Sequence, residues 1–305
     1  MIYDVVIVGG GPSGMSAAIY ASRARLKTLL IEKAGCGGQI AITDHLENYP
    51  GFEEGINGFD LAMKMEKQAR TFGCEIAYGE VSFIETEDAI KKVILSDKKE
   101  YFTKTIIIAS GANFKKLAIE GEQEFIGKGV SYCATCDGPF FRNKEIAVVG
   151  GGDSALQEAL YLTKFATKVN LIHRRDQFRA AKILQEKVFA ESKINIIFDS
   201  VVEKISGNLS VEQITLKNVK NNISSQLSVN GVFVFVGWLP NTKFLSNTAI
   251  KLNEAGYIIT DDNMKTSVEG IFACGDVRQK ILRQVVTAAG DGAIAAISAQ
   301  HFIEG

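Results

Sequence analysis

The chain has 305 residues, room for about two domains. Its 34 Lys+Arg against 35 Asp+Glu leave a net charge of −1, which argues against a nucleic-acid or other polyanionic partner. With 46% hydrophobic and 23% charged residues the chain buries one or two cores and is not disordered. No apolar run reaches the ~18 residues of a membrane span, the N-terminus fails as a secretory signal because Asp4 stands where positive charge should be and glycines interrupt the apolar stretch after Val8, and the five scattered cysteines form no secreted disulfide framework, so a cytoplasmic location is expected.

Tyr3 to Val8 is a β-rich run that stops at Gly9-Gly10-Gly11-Pro12-Ser13-Gly14, after which Met15 to Ala24 is helix-compatible. In such a strand–turn–helix, Gly9 permits the tight turn, Gly11 lets backbone approach a pyrophosphate at the helix N-terminus, and Gly14 lets helix pack on strand. The next strand, Thr28 to Ile31, ends at Glu32, which stands 18 residues past Gly14, close to the ~20 expected of an acid that binds ribose hydroxyls. A dinucleotide site is expected here.

Farther along, the strand Thr105 to Ile108 precedes Cys133-Ala134-Thr135-Cys136, a C-x-x-C unit that can close as a redox disulfide. A structural zinc would need two more ligands, which neither the isolated cysteines nor the unpaired histidines 45, 173 and 301 offer, so no metal is expected. Asp137 could shuttle the proton of thiol–disulfide exchange, or simply form a turn before Gly138.

The glycine pattern then recurs. Ile146 to Val149 runs into Gly150-Gly151-Gly152-Asp153-Ser154-Ala155, a helix-compatible stretch begins at Leu156, and the strand Val169 to Ile172 follows. The 23-residue offset from Gly9 to Glu32 leads from Gly150 to His173, so His173-Arg174-Arg175 replaces the ribose acid. Cations there, with Arg179 close by, favour the 2′-phosphate of NADP over NAD. Two dinucleotide sites in one chain imply electron transfer between two redox cofactors, and NADPH reducing FAD is the economical assignment.

These stretches, together with Gly37-Gly38-Gln39, Glu47-Asn48-Tyr49-Pro50-Gly51, Phe178-Arg179-Ala180, Gly270-Ile271-Phe272 to Asp276 and Arg283-Gln284-Val285, resemble the bacterial low-molecular-weight thioredoxin reductases over essentially the whole chain. The resemblance implies FAD held by Gly9, Gly11, Pro12, Ser13, Gly14, Glu32, Gly38, Gln39, Asn48, Gly111, Gly275, Asp276, Arg283, Gln284 and Val285. It implies NADPH held by Gly150, Gly152, Asp153, Ser154, Ala155, His173, Arg174, Arg175 and Arg179. It also implies a homodimer, oxidised thioredoxin as substrate, Cys136 facing the flavin and Cys133 exchanging with thioredoxin. Ser110, Cys274 and Pro139 depart from the family's usual threonine, alanine and aromatic residue, and Phe140 and Phe141, beside Pro139, are either docking surface or core.

Because flavin-type segments recur at the C-terminal end, the expected fold is α/β with two Rossmann-like, three-layer domains, the NADP domain (114–244) inserted into a discontinuous FAD domain (1–113 and 245–305). The cysteine pair and the second fingerprint share the inserted domain, so a hinge rotation is expected to present each in turn to the flavin. Lys91-Lys92 and Lys98-Lys99 are expected on a solvated hairpin, Cys74 in the core, and His45 and His301 in surface or packing positions. Two rivals are a non-catalytic NADP-binding flavoprotein sensor and a related reductase with another acceptor. Electron transfer to a disulfide separates them.

Overall fold

The computed structural model describes residues 1–43, 46, 48–86 and 89–305, apart from the side chains of Ile42, Thr135 and Cys136. His45 and Glu47, both singled out above, lie outside the described residues. The chain divides into two compact units, Met1–Asn113 with Leu239–Gly305, and Phe114–Trp238.

The first unit opens with β1 (Ile2–Val8), α1 (Pro12–Arg23) and β2 (Thr28–Glu32), the two strands parallel with Val5 opposite Thr28 and Val8 opposite Ile31. Next comes α2 (Gly58–Thr71), whose first turn is capped by the Asn57 side chain accepting from the N–H groups of Phe59 and Asp60. β3 (Glu75–Tyr78) follows, and then a meander of β4 (Val81–Glu85), β5 (Lys91–Leu95) and β6 (Glu100–Ile108) brings the chain back parallel to β1. The strand order is β3-β2-β1-β6-β5-β4. Val5 to Val8 and Ile106 to Ile108 are unbroken apolar runs because both faces of this sheet are covered. Helices cover one face, and the meander with Leu245, Ile250 and Ile258 covers the other.

The chain leaves through β7 (Ala112–Phe114). The second unit contains β8 (Val130–Ser131), α3 (Ala134–Asp137), β9 (Glu145–Val149), α4 (Asp153–Leu162), β10 (Lys168–Ile172), α5 (Lys182–Ala190) and β11 (Ile194–Ile197). The strands β12 (Ser200–Gly207), β13 (Val211–Asn218) and β14 (Ser224–Ser228) form an antiparallel sheet before β15 (Gly231–Val234). The main sheet is parallel in the order β11-β10-β9-β15-β8, with α3, α4 and α5 packed on one face and the antiparallel sheet on the other.

The chain returns through β16 (Trp238–Pro240), which pairs with β7. β17 (Ile271–Ala273) then extends β6 in parallel at Ile106–Ile108, and α6 (Val285–Glu304) lies on α1 so closely that a Cβ on Gly292 would strike the Ser13 carbonyl. Both units are three-layered, Rossmann-like α/β structures, the second inserted into the first. Residues 239–244 pack with the first unit. The reason is local: Asn241 exchanges hydrogen bonds with Ser110 (both 2.8 Å) and accepts one from Asn113 (2.9 Å).

Two surface expectations divide. Lys98 and Lys99 are exposed and Lys92 bridges Glu85 (3.1 Å), but Lys91 is buried, its Cε and Nζ lying against Gly270. Its position on the inward side of β5 outweighs the charge, whose long stem is apolar. Phe141 is core, edge-on to Phe233 at 5.1 Å, whereas its neighbour Phe140 is 73% exposed. Cys74 is buried and His301 exposed.

Candidate functional site

In the first unit the glycine loop is shaped by what surrounds each Cα. Gly9 has φ +109 and a Cβ there would strike the Ala109 carbonyl, while Gly14 is pressed onto the Gly9 carbonyl. At Gly11 the same test meets nothing, which leaves the loop open to a ligand at the N-terminus of α1. Gly14→Ala is therefore expected to separate helix from strand: destabilisation by at least ~1–3 kcal/mol and loss of cofactor on gel filtration, read by thermal unfolding and the absorbance of the purified protein.

Glu32 anchors this loop. One carboxylate oxygen accepts from Gly10 N (2.6 Å) and the other from Lys33 N (2.8 Å) and Ala34 N (3.2 Å). Gly38 lies 3.3 Å from Gly11, taking its would-be Cβ as reference, and Gly275 sits against Ser13 in the same way. Gly111 (φ +66) accepts from Asn241 N, and Asn48 donates to Gln284 (3.0 Å), the N-cap of α6, beside Arg283 and Val285. Pro12 and Ser13 start α1.

Buried polar atoms mark the open side of this cluster. Gln39 Oε1, Asp276 Oδ1 and Arg283 Nε are buried and have no hydrogen-bond partner among the described residues, against the general rule that such atoms are paired. Burial holds the Asp276 carboxyl above its usual range, Lys280 and Arg283 only partly opposing it. Behind it, Asp291 accepts from Gly275 N (3.1 Å), Arg278 (3.3 Å) and Lys280 (2.8 Å), a network with no linear signal. Cys274 is fully buried among these groups, its thiol pushed up to about 12 by desolvation, so it is an inert packing group.

In the second unit the corresponding loop follows β9. A Cβ on Gly150 would meet the Ala155 methyl and the Phe235 carbonyl at 2.5 Å, and Gly152 again faces open space. Asp153 starts α4 beside Ser154 and accepts from Ala181 N (2.7 Å), and Arg179 N donates to Gly151 O (2.8 Å), folding the basic segment back onto the loop. Arg174, Arg175 and Arg179 line one open depression of about 380 Å³ together with Asp176, Asp199 and Lys220.

His173 does not join them. It is 6% exposed, its ring lies under Gly151 and against Phe178, and it presents no charge to the depression. Burial, with Arg179, Arg174 and Arg175 repelling a proton, lowers its pKa below the ordinary 6.5. Of the cations expected at the ribose position, the three arginines line the depression, while His173 lies beneath the glycine loop. Below pH 6.5 the unfolded chain takes up a proton more readily than folded His173 does, so stability should fall on acidification by at most ~1.4 kcal/mol per pH unit from this group. Denaturant midpoints from pH 7.5 to 5.5 check it, and His173→Gln should flatten the decline.

Cys133 follows β8 and is disulfide-bonded, while Cys36, Cys74 and Cys274 are free. Its N–H donates to Ser131 Oγ (3.1 Å) and its carbonyl accepts from Ser131 Oγ and from Asp137 N (3.2 Å). α3 carries Cys136 and ends at Asp137, and the following Gly138 rests on Leu162 and Phe165, so the segment is packed on α4 of the second glycine fingerprint. Among the described residues no His, Cys, Asp and Glu cluster could hold a metal, and no helix is long and apolar enough to cross a membrane.

Residues 3–292 match the family described as pyridine nucleotide-disulphide oxidoreductase. The chain belongs to that family. Its relatives include a thioredoxin reductase of Bacillus subtilis, 50% identical over 99% of this chain and 95% of the relative, and one of Peptoclostridium acidaminophilum, 48% identical over 99% and 98%. The solved thioredoxin reductase of Lactococcus lactis is 51% identical, with a TM-score of 0.85 over 99% of both chains, and that of T. acidophilum is 33% identical with 0.83 over 100% and 99%. Like the family, the chain is a FAD- and NADPH-dependent oxidoreductase.

The residues present fit both cofactors. The unpartnered acceptors Gln39 Oε1 and Asp276 Oδ1 and the donor Arg283 Nε suit a ligand rich in hydroxyl and phosphate groups, and open Gly11 leaves room for it. Lys220 and Asp199 belong to no linear motif. Lys220 lies in an Asn-rich turn far along the chain from Arg174, and nothing linear connects the two.

Proposed function

We propose that this chain reduces the disulfide of thioredoxin with electrons from NADPH, through the pair Cys133 and Cys136. The observation that carries the reading is the placing of a disulfide-bonded Cys133 on a segment packed against α4, in the same unit as the arginine-lined depression. FAD is held by the first unit's glycine loop with Glu32, Gly38, Gln39, Asn48, Gly111, Gly275, Asp276 and the Arg283–Val285 segment, and when bound it supplies a two-electron carrier between nicotinamide and disulfide. NADPH is held by Gly150 to Ala155, with Arg174, Arg175 and Arg179 on its 2′-phosphate and His173 beneath the loop.

Once the pair is a dithiol, the Cys133 thiolate attacks the thioredoxin disulfide and one thioredoxin sulfur leaves as thiolate, forming a mixed disulfide. Cys136 then attacks Cys133, closing the intramolecular disulfide and releasing thioredoxin as a dithiol. Two electrons and two protons leave the enzyme. Asp137, whose backbone N–H donates to the Cys133 carbonyl, is the residue we assign to moving a proton during this exchange. The second unit rotates on its two crossings, β7 and β16, so that nicotinamide and disulfide take turns at the flavin. A verified crosslink between the units should permit one half-reaction and block the other.

The protein works as a cytoplasmic homodimer. Val286, Gly290, Ile294 and Ile297 form an exposed, largely apolar face along α6 that suits a second copy. Sedimentation of the holoenzyme as a single chain would remove the dimer. The central test is an anaerobic titration of the yellow holoenzyme with NADPH, followed by thioredoxin and a count of thiols. Two new thiols per thioredoxin are expected, and reduced enzyme that forms none sinks the reading in favour of another acceptor.

A further inference from the structure

We propose that Lys220 is a fourth cation of the pocket for the 2′-phosphate and a determinant of the choice of NADPH over NADH, an inference that rests on the NADPH reading above. Lys220 comes from the β13–β14 turn, yet it lines the same depression as Arg174, Arg175 and Arg179. Two carboxylates direct its ammonium: Asp199 at 2.9 Å and Asp176 at 3.5 Å.

The turn is built to hold it there. Asn218 Oδ1 accepts from Lys220 N (3.0 Å) and Asn221 N (3.2 Å), and Asn222, at φ +58, donates to Asn218 O (2.9 Å). Asp199 joins this turn to the arginine segment through its backbone. Its carbonyl accepts from Val219 N (2.7 Å) while its own N–H donates to Arg175 O (3.2 Å), and it takes φ +52 to do both. A surface carboxylate–ammonium pair is weak, so Asp199 and Asp176 aim the ammonium without removing it from a stronger anion. Four cations against two carboxylates leave a surplus of two positive charges in the depression, which complements the −1.5 to −2 of a phosphate monoester. Because the turn is ordered beforehand, little entropy is lost when the phosphate is bound.

The test uses purified holoenzyme, with NADPH and NADH as substrates and 2′-AMP and 5′-AMP as competing probes. Lys220→Ala is expected to raise the KM for NADPH and the inhibition constant of 2′-AMP about tenfold, to move NADH and 5′-AMP much less, and Lys220→Arg should restore most of the loss. Unchanged NADPH and 2′-AMP constants, or an equal loss for NADH and 5′-AMP, overturn the assignment of Lys220. An Arg174→Ala/Arg175→Ala protein measured in parallel separates the two readings. If it loses NADPH preference while Lys220→Ala does not, the pocket stands without Lys220, and if neither loses it, the pocket reading falls too.

Discussion

Cys133→Ser and Cys136→Ser are each expected to lower turnover with oxidised thioredoxin by roughly 10³-fold or more, the scale on which losing a covalent participant acts. Either change leaves one sulfur, and a lone sulfur cannot both open a partner's disulfide and release it. Cofactor content should be unaffected, because the unpartnered atoms assigned to FAD, Gln39 Oε1, Asp276 Oδ1 and Arg283 Nε, belong to the other unit. Loss of yellow colour on adding NADPH should therefore persist in both variants. The two should also differ in detail: Cys136→Ser can be trapped as a mixed disulfide with thioredoxin through Cys133, and Cys133→Ser cannot. Mass spectrometry of alkylated, non-reduced samples reads this out, and a mixed disulfide on Cys136 alone would reverse the assigned roles.

The second large effect is expected at the basic segment. Each charge-assisted hydrogen bond to phosphate is worth ~1.5–3 kcal/mol, so Arg174→Ala with Arg175→Ala should lower kcat/KM for NADPH by about 10²- to 10⁴-fold. NADH lacks the 2′-phosphate and should change little. Both side chains are exposed at the depression, so the fold should survive the pair of substitutions, and circular dichroism checks that. Raised ionic strength should mimic the variant in part, because exposed charges are screened by salt. Retained preference for NADPH in the double variant would remove the phosphate assignment.

Much of the molecule was legible in linear order because its chemistry is carried by short, contiguous devices. A strand, a glycine turn and a helix occupy about a dozen residues, and each glycine meets the steric demand expected of it: Gly9 the turn, Gly11 the open approach, Gly14 the close packing. The step from Glu32 to His173-Arg174-Arg175 was visible because both copies keep one register. The C-x-x-C spacing announced itself for the same reason. Recurrence of flavin-type segments after residue 270 foretold the insertion.

What linear order could not supply depends on contacts between distant residues and on which side of a strand each residue faces. It could not tell Phe140 at the surface from Phe141 in the core, nor that Lys91 turns inward while Lys98 and Lys99 stay in water. His173 looked like one more cation, and only the structure shows it buried under Gly151, where desolvation and the neighbouring arginines lower its pKa. Gln39, Asp276 and Arg283 gain meaning from their unpaired buried atoms, a property no spacing encodes. The sequence by itself determined two nucleotide folds, a cluster of basic residues after the second fold's strand and a C-x-x-C pair, since each is written in neighbouring residues. Tertiary structure decided which charges line the depression, bringing Lys220 beside Arg174 and Arg175 through Asp199, because burial and sheet register are set by the whole chain and by no single segment.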